Sequence, residues 1–254
     1  MTTAQPPFLS SDTSGLQAAA AILQGGGLVA FPTETVYGLG GDATNDHAVA
    51  AIFEAKGRPA FNPLIVHFPN AESIWPHVDI EPATQSLVNK LADAFWPGPL
   101  TMVLKRRTDS SLSLLVSAGL DTLAVRVPAH DIAHNLLAVV ERPIAAPSAN
   151  RSGGISPTQA AHVRESLGDR IDAIVDGGPC DIGIESTVIA LGEGHSALLR
   201  PGSITRRDIE TIIGPVNVAD DQNDEMEPSA PRSPGMLKRH YAPNTRVRLH
   251  ATQA

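Results

Sequence analysis

Four consecutive apolar residues, Leu28-Val29-Ala30-Phe31, stand between Gly25-Gly26-Gly27 and Pro32, and no other stretch constrains the fold more. A run this short, bounded by helix breakers, reads as a strand buried on both faces. Further runs supply neighbours for it: Leu64–Phe68, Leu100–Lys105, Leu123–Val127, Ile144–Ala146, Ile171–Val175, Ser186–Leu191 and Ala197–Leu199. Helical patterns lie between them. Residues 12–25 carry Asp12 or Ser14 as N-cap, with Leu16, Ala19, Ala20 and Leu23 as the buried stripe. Others run from an Asp46 cap to about Ala55, over 82–95, over His130–Val140, and over Thr205–Ile213. Ser156-Pro157 adds a strong helix start, Ser at N-cap and Pro at N1. The alternation is less regular than in a doubly wound fold, so an α/β architecture is expected, a mixed twisted sheet flanked by helices.

The 254 residues read as one domain over 12–218, preceded by a tail at 1–11. Composition changes at residue 219: Asp220, Asp221, Asp224, Glu225 and Glu227 make 219–232 an acidic flexible linker with almost nothing to bury. Residues 233–254 form a C-terminal arm dense in polar, aromatic and turn-forming residues, and too short for a second domain. No apolar run approaches the ~18 residues of a membrane span, and Met1–Ser10 lacks the order of a signal peptide, so a cytoplasmic location is expected. A single cysteine, Cys180, leaves no internal disulfide framework and reads as a small packed residue near a turn. The net charge of −8 argues against broad contact with nucleic acid, though not against a local basic cleft.

Chemistry concentrates where reactive residues directly follow apolar strands. Phe31–Gly40 places two hydroxyls, a carboxylate and a phenol within five residues (Thr33-Glu34-Thr35-Val36-Tyr37), closed by glycines; a plain Pro-Gly turn would read the same way. Lys56-Gly57-Arg58 lies just past a helix end, where both cations can address one polyanion or simply favour the helix C-terminus. Arg126, in an otherwise apolar strand, must meet either a carboxylate ligand or a buried Asp or Glu. Ala145–Ser156 follows a strand with small residues, hydroxyls and an amide, and successive N–H groups in such a loop bind anions well. Glu185-Ser186-Thr187 and Arg200-Pro201-Gly202 complete the set.

Several chemistries are missing from the sequence. There is no Gly-x-x-x-x-Gly-Lys-Ser/Thr phosphate loop, no His-Glu-x-x-His, no Gly-x-Ser-x-Gly, and one cysteine cannot build a zinc site. Neutral donors together with Lys56, Arg58, Arg126 and Arg200 suit a polyanion and a small zwitterion better than covalent catalysis.

Taken together, Phe31–Gly40, Lys56–His67, Trp96–Thr101, Val125–Pro128, Pro147–Asn150, Glu185–Val188 and Arg200–Gly202 resemble the YrdC-like family of L-threonylcarbamoyladenylate synthases, over roughly residues 12 to 214. The resemblance implies a YrdC-like fold, and L-threonine, bicarbonate and ATP as substrates, with magnesium accompanying the ATP. Threonylcarbamoyl-AMP and pyrophosphate would be the products, serving a tRNA modification. The family's Lys-x-Arg and Ser-x-Asn signatures correspond to Lys56 with Arg58, the implied catalytic pair, and to Ser148 with Asn150. Thr35, His67, Arg126, Ala146 and Ser186 would line the threonine pocket. Arg58, Asn62, Thr122, Ser148, Asn150, Ser156, Arg200 and Tyr241 would contact the nucleotide. The arm resembles the linker of longer, two-domain members, whose following domain is not expected here, and Tyr241 would belong to a lid over the site. Downstream threonylcarbamoyl-transfer proteins and a weak tRNA contact are implied partners. Two other readings compete: a noncatalytic RNA-binding module, and a carbamoyltransferase-type domain, whose larger enzymes carry zinc-finger regions absent from this chain.

Overall fold

The computed structural model describes residues 5–192 and 195–218, and the acidic linker and the arm lie outside them. Eleven strands form one mixed sheet among the described residues: β1 (Phe8–Leu9), β2 (Val29–Phe31), β3 (Gly38–Asp42), β4 (Ile65–His67), β5 (Leu100–Lys105), β6 (Thr122–Arg126), β7 (Ile144–Ala145), β8 (Ala173–Val175), β9 (Thr187–Gly192), β10 (His195–Arg200) and β11 (Asn217–Val218). Their order is β1-β8-β2-β3-β7-β4-β6-β5-β9-β10-β11. Parallel pairs such as β4/β6 and β5/β9 alternate with antiparallel ones such as β2/β3 and β5/β6. Six α-helices among the described residues pack on it: α1 (Thr13–Gln24), α2 (Asp46–Lys56), α3 (Pro82–Phe95), α4 (Asp131–Val140), α5 (Ala160–Leu167) and α6 (Arg206–Ile213). No helix among the described residues is long and apolar enough to cross a membrane.

Helix ends follow local chemistry. The Asp12 carboxylate accepts from the Gly15 N–H and caps α1, and Leu16, Ala19, Ala20 and Leu23 are buried as their spacing predicts. The cap of α2 is Asn45 rather than Asp46, because the Asn45 side-chain Oδ1 accepts from both His47 and Ala48 N–H groups. Thr205 and Asp208 close a reciprocal capping box on α6. Ser156-Pro157 does not start a helix: α5 begins at Ala160. The Pro157 carbonyl instead accepts from Tyr37 N–H at 2.8 Å, the Thr158 carbonyl from Cys180 N–H at 2.9 Å, and the Ser156 hydroxyl donates to Glu185. Tertiary hydrogen bonds thus keep this stretch out of a helix. Cys180 is half-buried and packs against the main core, and burial pushes its thiol up to about 11.

Three strands escaped the sequence reading, the two-residue β11, which pairs parallel with β10, among them. β1 lies within the supposed tail and pairs parallel with β8, so residues 8–9 belong to the sheet. β3 is Gly-Leu-Gly-Gly-Asp, fully buried, and its glycines serve packing as much as turning. A Cβ on Gly40 would sit 2.8 Å from the Phe31 ring and 3.1 Å from Ile144.

Side-chain alternation along the strands sorts the core into faces. Leu28, Ala30, Val66, Val125, Ala145, Ile174 and Ile189 join one large cluster with α2, α3, α5 and α6. Val29, Phe31, Ile144, Ala173 and Val175 point the other way, onto α1 and α4. A third cluster, Ile65, Val103, Ala124 and Val188, contains no helical residue. There the sheet face is left without a helix, and the cleft described next opens on that face.

Candidate functional site

The cleft is open to solvent and is lined by loops and strand positions brought together by one register. His67 pairs with Arg126 across β4/β6, and Ala146 donates its N–H to the Ile65 carbonyl. Because residues two apart share a face, His67 and Ile65, Arg126 and Ala124, and Ser186 and Val188 all emerge on the same uncovered side. The five residues expected around threonine, Thr35, His67, Arg126, Ala146 and Ser186, all line it.

Arg126 is the fixed point of this half. Its Nε donates to the Gly98 carbonyl at 3.2 Å, and its Nη1 donates to Thr35 Oγ1 at 3.1 Å. Its Nη2 lies 2.7 Å from Glu34 Oε1 in an ion pair buried from solvent. The angle is poor for a hydrogen bond, so Nη2 and both Glu34 oxygens lack a well-aligned one. The buried partner of Arg126 is therefore Glu34, and the arginine also faces the cleft. Thr33 Oγ1 lies 2.9 Å from Thr35 Oγ1 and donates to the Val36 carbonyl, which keeps the hydroxyl pair in place.

His67 is buried, edge-on to Phe31 at 6.5 Å between ring centroids, and its Nδ1 has no hydrogen-bond partner among the described residues. Burial, and then the nearby Arg126 charge, lower its pKa from 6.5 to about 3, so the imidazole is neutral at physiological pH. As pH falls below 6.5 the unfolded chain takes a proton that the folded one refuses until about pH 3, so stability is lost over that window. A His67→Asn variant is expected to show a flatter decline between pH 6.5 and 4, by on the order of a few kcal/mol, in urea midpoints taken at each pH. Parallel declines would show that His67 titrates normally.

The other half carries the cations. Arg58, Ser148 and Arg200 line the cleft. Arg58 is anchored by its own loop, Nε donating to the Asn62 carbonyl at 3.1 Å and Nη2 to the Pro63 carbonyl at 2.8 Å. Burial lowers its pKa to about 10. Arg200 donates from Nε to the Ser186 carbonyl and from Nη2 to Ser186 Oγ, both at 3.0 Å, and forms a buried ion pair with Glu185. The other Glu185 oxygen accepts from Ser156 Oγ at 2.7 Å. Ser186 Oγ also lies 2.8 Å from Thr101 Oγ1, and the bond it accepts from Arg200 ties the two halves together.

Not every expected nucleotide residue reaches the cleft. Lys56 does not line it: the side chain is buried and its Nζ donates to the carbonyls of Ser148 and Asn150, both at 2.5 Å. The Lys56 carbonyl accepts from Ser152 N–H as well, so this residue clamps the 148–152 loop from behind. Burial, with Arg58 nearby, lowers the Lys56 pKa from 10.5 to about 7. Asn150 is also turned into that loop, its Nδ2 donating to the Arg151 and Gly154 carbonyls. Asn62 is buried, with Oδ1 lacking a partner among the described residues. Ser156 reaches the site only through Glu185. Thr122 stands apart: it opens β6 opposite Lys105, four residues and roughly 13 Å of strand from Arg126, outside the cleft. Tyr241 lies outside the described residues.

Three site residues went unselected in the sequence: Glu34, Glu185 and Thr33. Each sat inside a recognised segment, and the demand that Arg126 be paired was the signal for Glu34. For Glu185 there was none, since pairing with Arg200 depends on the return of β10 beside β9.

Comparison with known proteins agrees with this geometry. A family profile named Sua5_yciO_yrdC, described as "Telomere recombination", matches residues 21–202, and a second, described as the threonylcarbamoyl-AMP synthase C-terminal domain, matches 204–254. The chain is 48% identical over 235 residues to a threonylcarbamoyl-AMP synthase of Bacillus subtilis, covering 92% of this chain and 66% of the relative. It is also 48% identical to one of Pyrococcus abyssi over 232 residues, covering 91% and 66%. The chain thus spans just under two thirds of the length of these relatives. The crystal structure of P. abyssi Sua5 complexed with L-threonine superposes with a TM-score of 0.86 at 46% identity, over 93% of this chain and 68% of that one. With a profile match over most of its length, and a mixed sheet that superposes on that structure, the chain belongs to the Sua5/YciO/YrdC family.

Proposed function

We propose that the chain is an L-threonylcarbamoyladenylate synthase, forming threonylcarbamoyl-AMP and pyrophosphate from L-threonine, bicarbonate and ATP. The observation that carries this reading is a single cleft with two chemically distinct halves. Arg126, His67, Thr35 and Ser186 offer a fixed cation, a neutral acceptor and hydroxyls, which suit an amino acid. Arg58 and Arg200, beside Ser148, suit phosphate oxygens. The threonine complex of the P. abyssi relative supports the first assignment.

In this reading bicarbonate carboxylates the threonine amine, releasing water, and a carbamate oxygen then attacks the α-phosphorus as pyrophosphate leaves. The protein forms no covalent bond. Its residues hold the reactants in line and spread the charge of the leaving phosphates. His67, neutral over the working pH range, accepts a hydrogen bond from the amino acid without competing for its carboxylate. Among the described residues no group of three or more His, Cys, Asp or Glu could hold a metal, and Glu34 and Glu185 are engaged by arginines. Magnesium would accordingly be held by the ATP phosphates and water rather than by a protein cage. The same proposal places the chain in the cytoplasm, handing its product to threonylcarbamoyl-transfer proteins, with at most a weak tRNA contact given its charge of −8.

Pyrophosphate release from ATP and magnesium tests it. Release is expected only when L-threonine and bicarbonate are both present. Release that ignores threonine, or none from a folded sample, would overturn the proposal; salt-dependent RNA affinity without ATP binding would then favour a noncatalytic module.

A further inference from the structure

The two halves of the cleft differ in charge balance. Among the described residues, Arg58 and Arg200 beside Ser148, with Lys56 behind them, meet one carboxylate, Glu185. That half is net positive even if Lys56 is neutral. Beside His67, one cation, Arg126, meets one carboxylate, Glu34, at 2.7 Å in a site closed to solvent. That half is balanced. His67 is neutral, Asp181 is exposed, and the Cys180 thiol stays protonated, so neighbouring groups do not tip it.

Glu34 is absent from the cleft lining, so it acts through Arg126 and through its field. We infer that Glu34 is a specificity residue: by cancelling the charge of Arg126 it makes the amino-acid half accept a zwitterion and refuse a simple anion of similar size. The physical reason is range. An unpaired guanidinium in a buried pocket attracts any anion, including the phosphates that the adjoining half is built to hold. With Glu34 behind it, Arg126 still offers hydrogen bonds at contact distance, but its long-range pull is gone. A ligand with both a carboxylate and an ammonium then loses nothing, because its own charges balance too. Removal of the Glu34 charge favours the competitor, which is how discrimination by a repulsive element works. This inference rests on the synthase reading of the cleft.

The test uses malonate, a dianion of about threonine's size without an ammonium. In Glu34→Gln, which keeps an oxygen facing Nη2, malonate inhibition competitive with threonine is expected to tighten by at least about tenfold. The threonine KM should rise while the ATP KM stays within about twofold, a split that a general loss of structure would not produce. Unchanged malonate inhibition in a folded, active variant would overturn the inference, as would tightening competitive with ATP alone. Should Glu34→Gln not fold, calorimetric titration of the wild-type chain decides the matter. L-threonine is expected to bind at least about tenfold tighter than 2,3-dihydroxybutanoate, its amine-free anion, and than threonine methyl ester, a cation. Equal binding of the anion would refute it. Threonine-dependent pyrophosphate release with unaltered malonate inhibition would sink this inference alone; no threonine binding at all would sink the synthase reading with it.

Discussion

Arg126→Ala is expected to abolish threonine-dependent pyrophosphate release and to cost about 3–5 kcal/mol of stability, because it leaves the buried Glu34 carboxylate without a counter-charge. The two losses have separate causes. Release fails because the fixed cation of the amino-acid half is gone, along with its bond to Thr35. Stability falls because a carboxylate closed to solvent cannot keep its charge without cost. Urea denaturation and the release assay on the same sample check both. Replacing both members, Glu34→Gln with Arg126→Met, should recover much of the stability and none of the turnover, since removing a whole buried pair costs far less than breaking it. Wild-type turnover in Arg126→Ala would show that the amino acid binds elsewhere.

Lys56→Met is expected to lower product formation by at least about 100-fold while changing stability by no more than about 2 kcal/mol. Two terms oppose each other in the folded state. Removing a desolvated ammonium, whose pKa is already down to about 7, relieves a burial cost. It also strands the Ser148 and Asn150 carbonyls, which have been receiving its hydrogen bonds. The loop that presents Ser148 to the cleft then loses its anchor, so turnover suffers more than the fold. Arg58→Met should differ in kind: Arg58 lines the cleft itself, and its loss should raise the ATP KM directly. If Lys56→Met and Arg58→Met gave the same rise in ATP KM with kcat intact, Lys56 would be a phosphate ligand and the clamp would not be its role.

That distinction shows where reading the chain as text reaches its limit. Lys56 and Arg58 stand two apart past a helix end, and their types alone suggest two hands on one polyanion. The αL conformation at Gly57 turns the chain between them. One side chain goes into the protein and the other along the cleft wall. The same limit explains Thr122, which shares a strand with Arg126 yet lies at its far end. It explains Ser156-Pro157 as well, where a good local helix start lost to hydrogen bonds donated by Tyr37 and Cys180 and one accepted by Glu185, partners at least 22 residues away.

Local chemistry was enough for much else. The apolar runs and their periodicity determined which segments are strands and which are helices, because burial of alternate or every-third-and-fourth residues is written in the order of side chains. Arg126 in an apolar strand already required a partner, since a lone buried charge is untenable. The reactive loops after the strands, and the family resemblance they carry, were likewise legible in residue order alone. Tertiary structure decided the rest. It placed β1, β3 and β11 in the sheet, β3 too rich in glycine and the other two too short to show a pattern. It chose Glu34 for Arg126 and Glu185 for Arg200, and it left one sheet face free of helices so that His67, Arg126 and Ser186 could converge. Such pairings join residues 92 and 15 positions apart through strand register, and register is a property of the assembled sheet that no single segment contains.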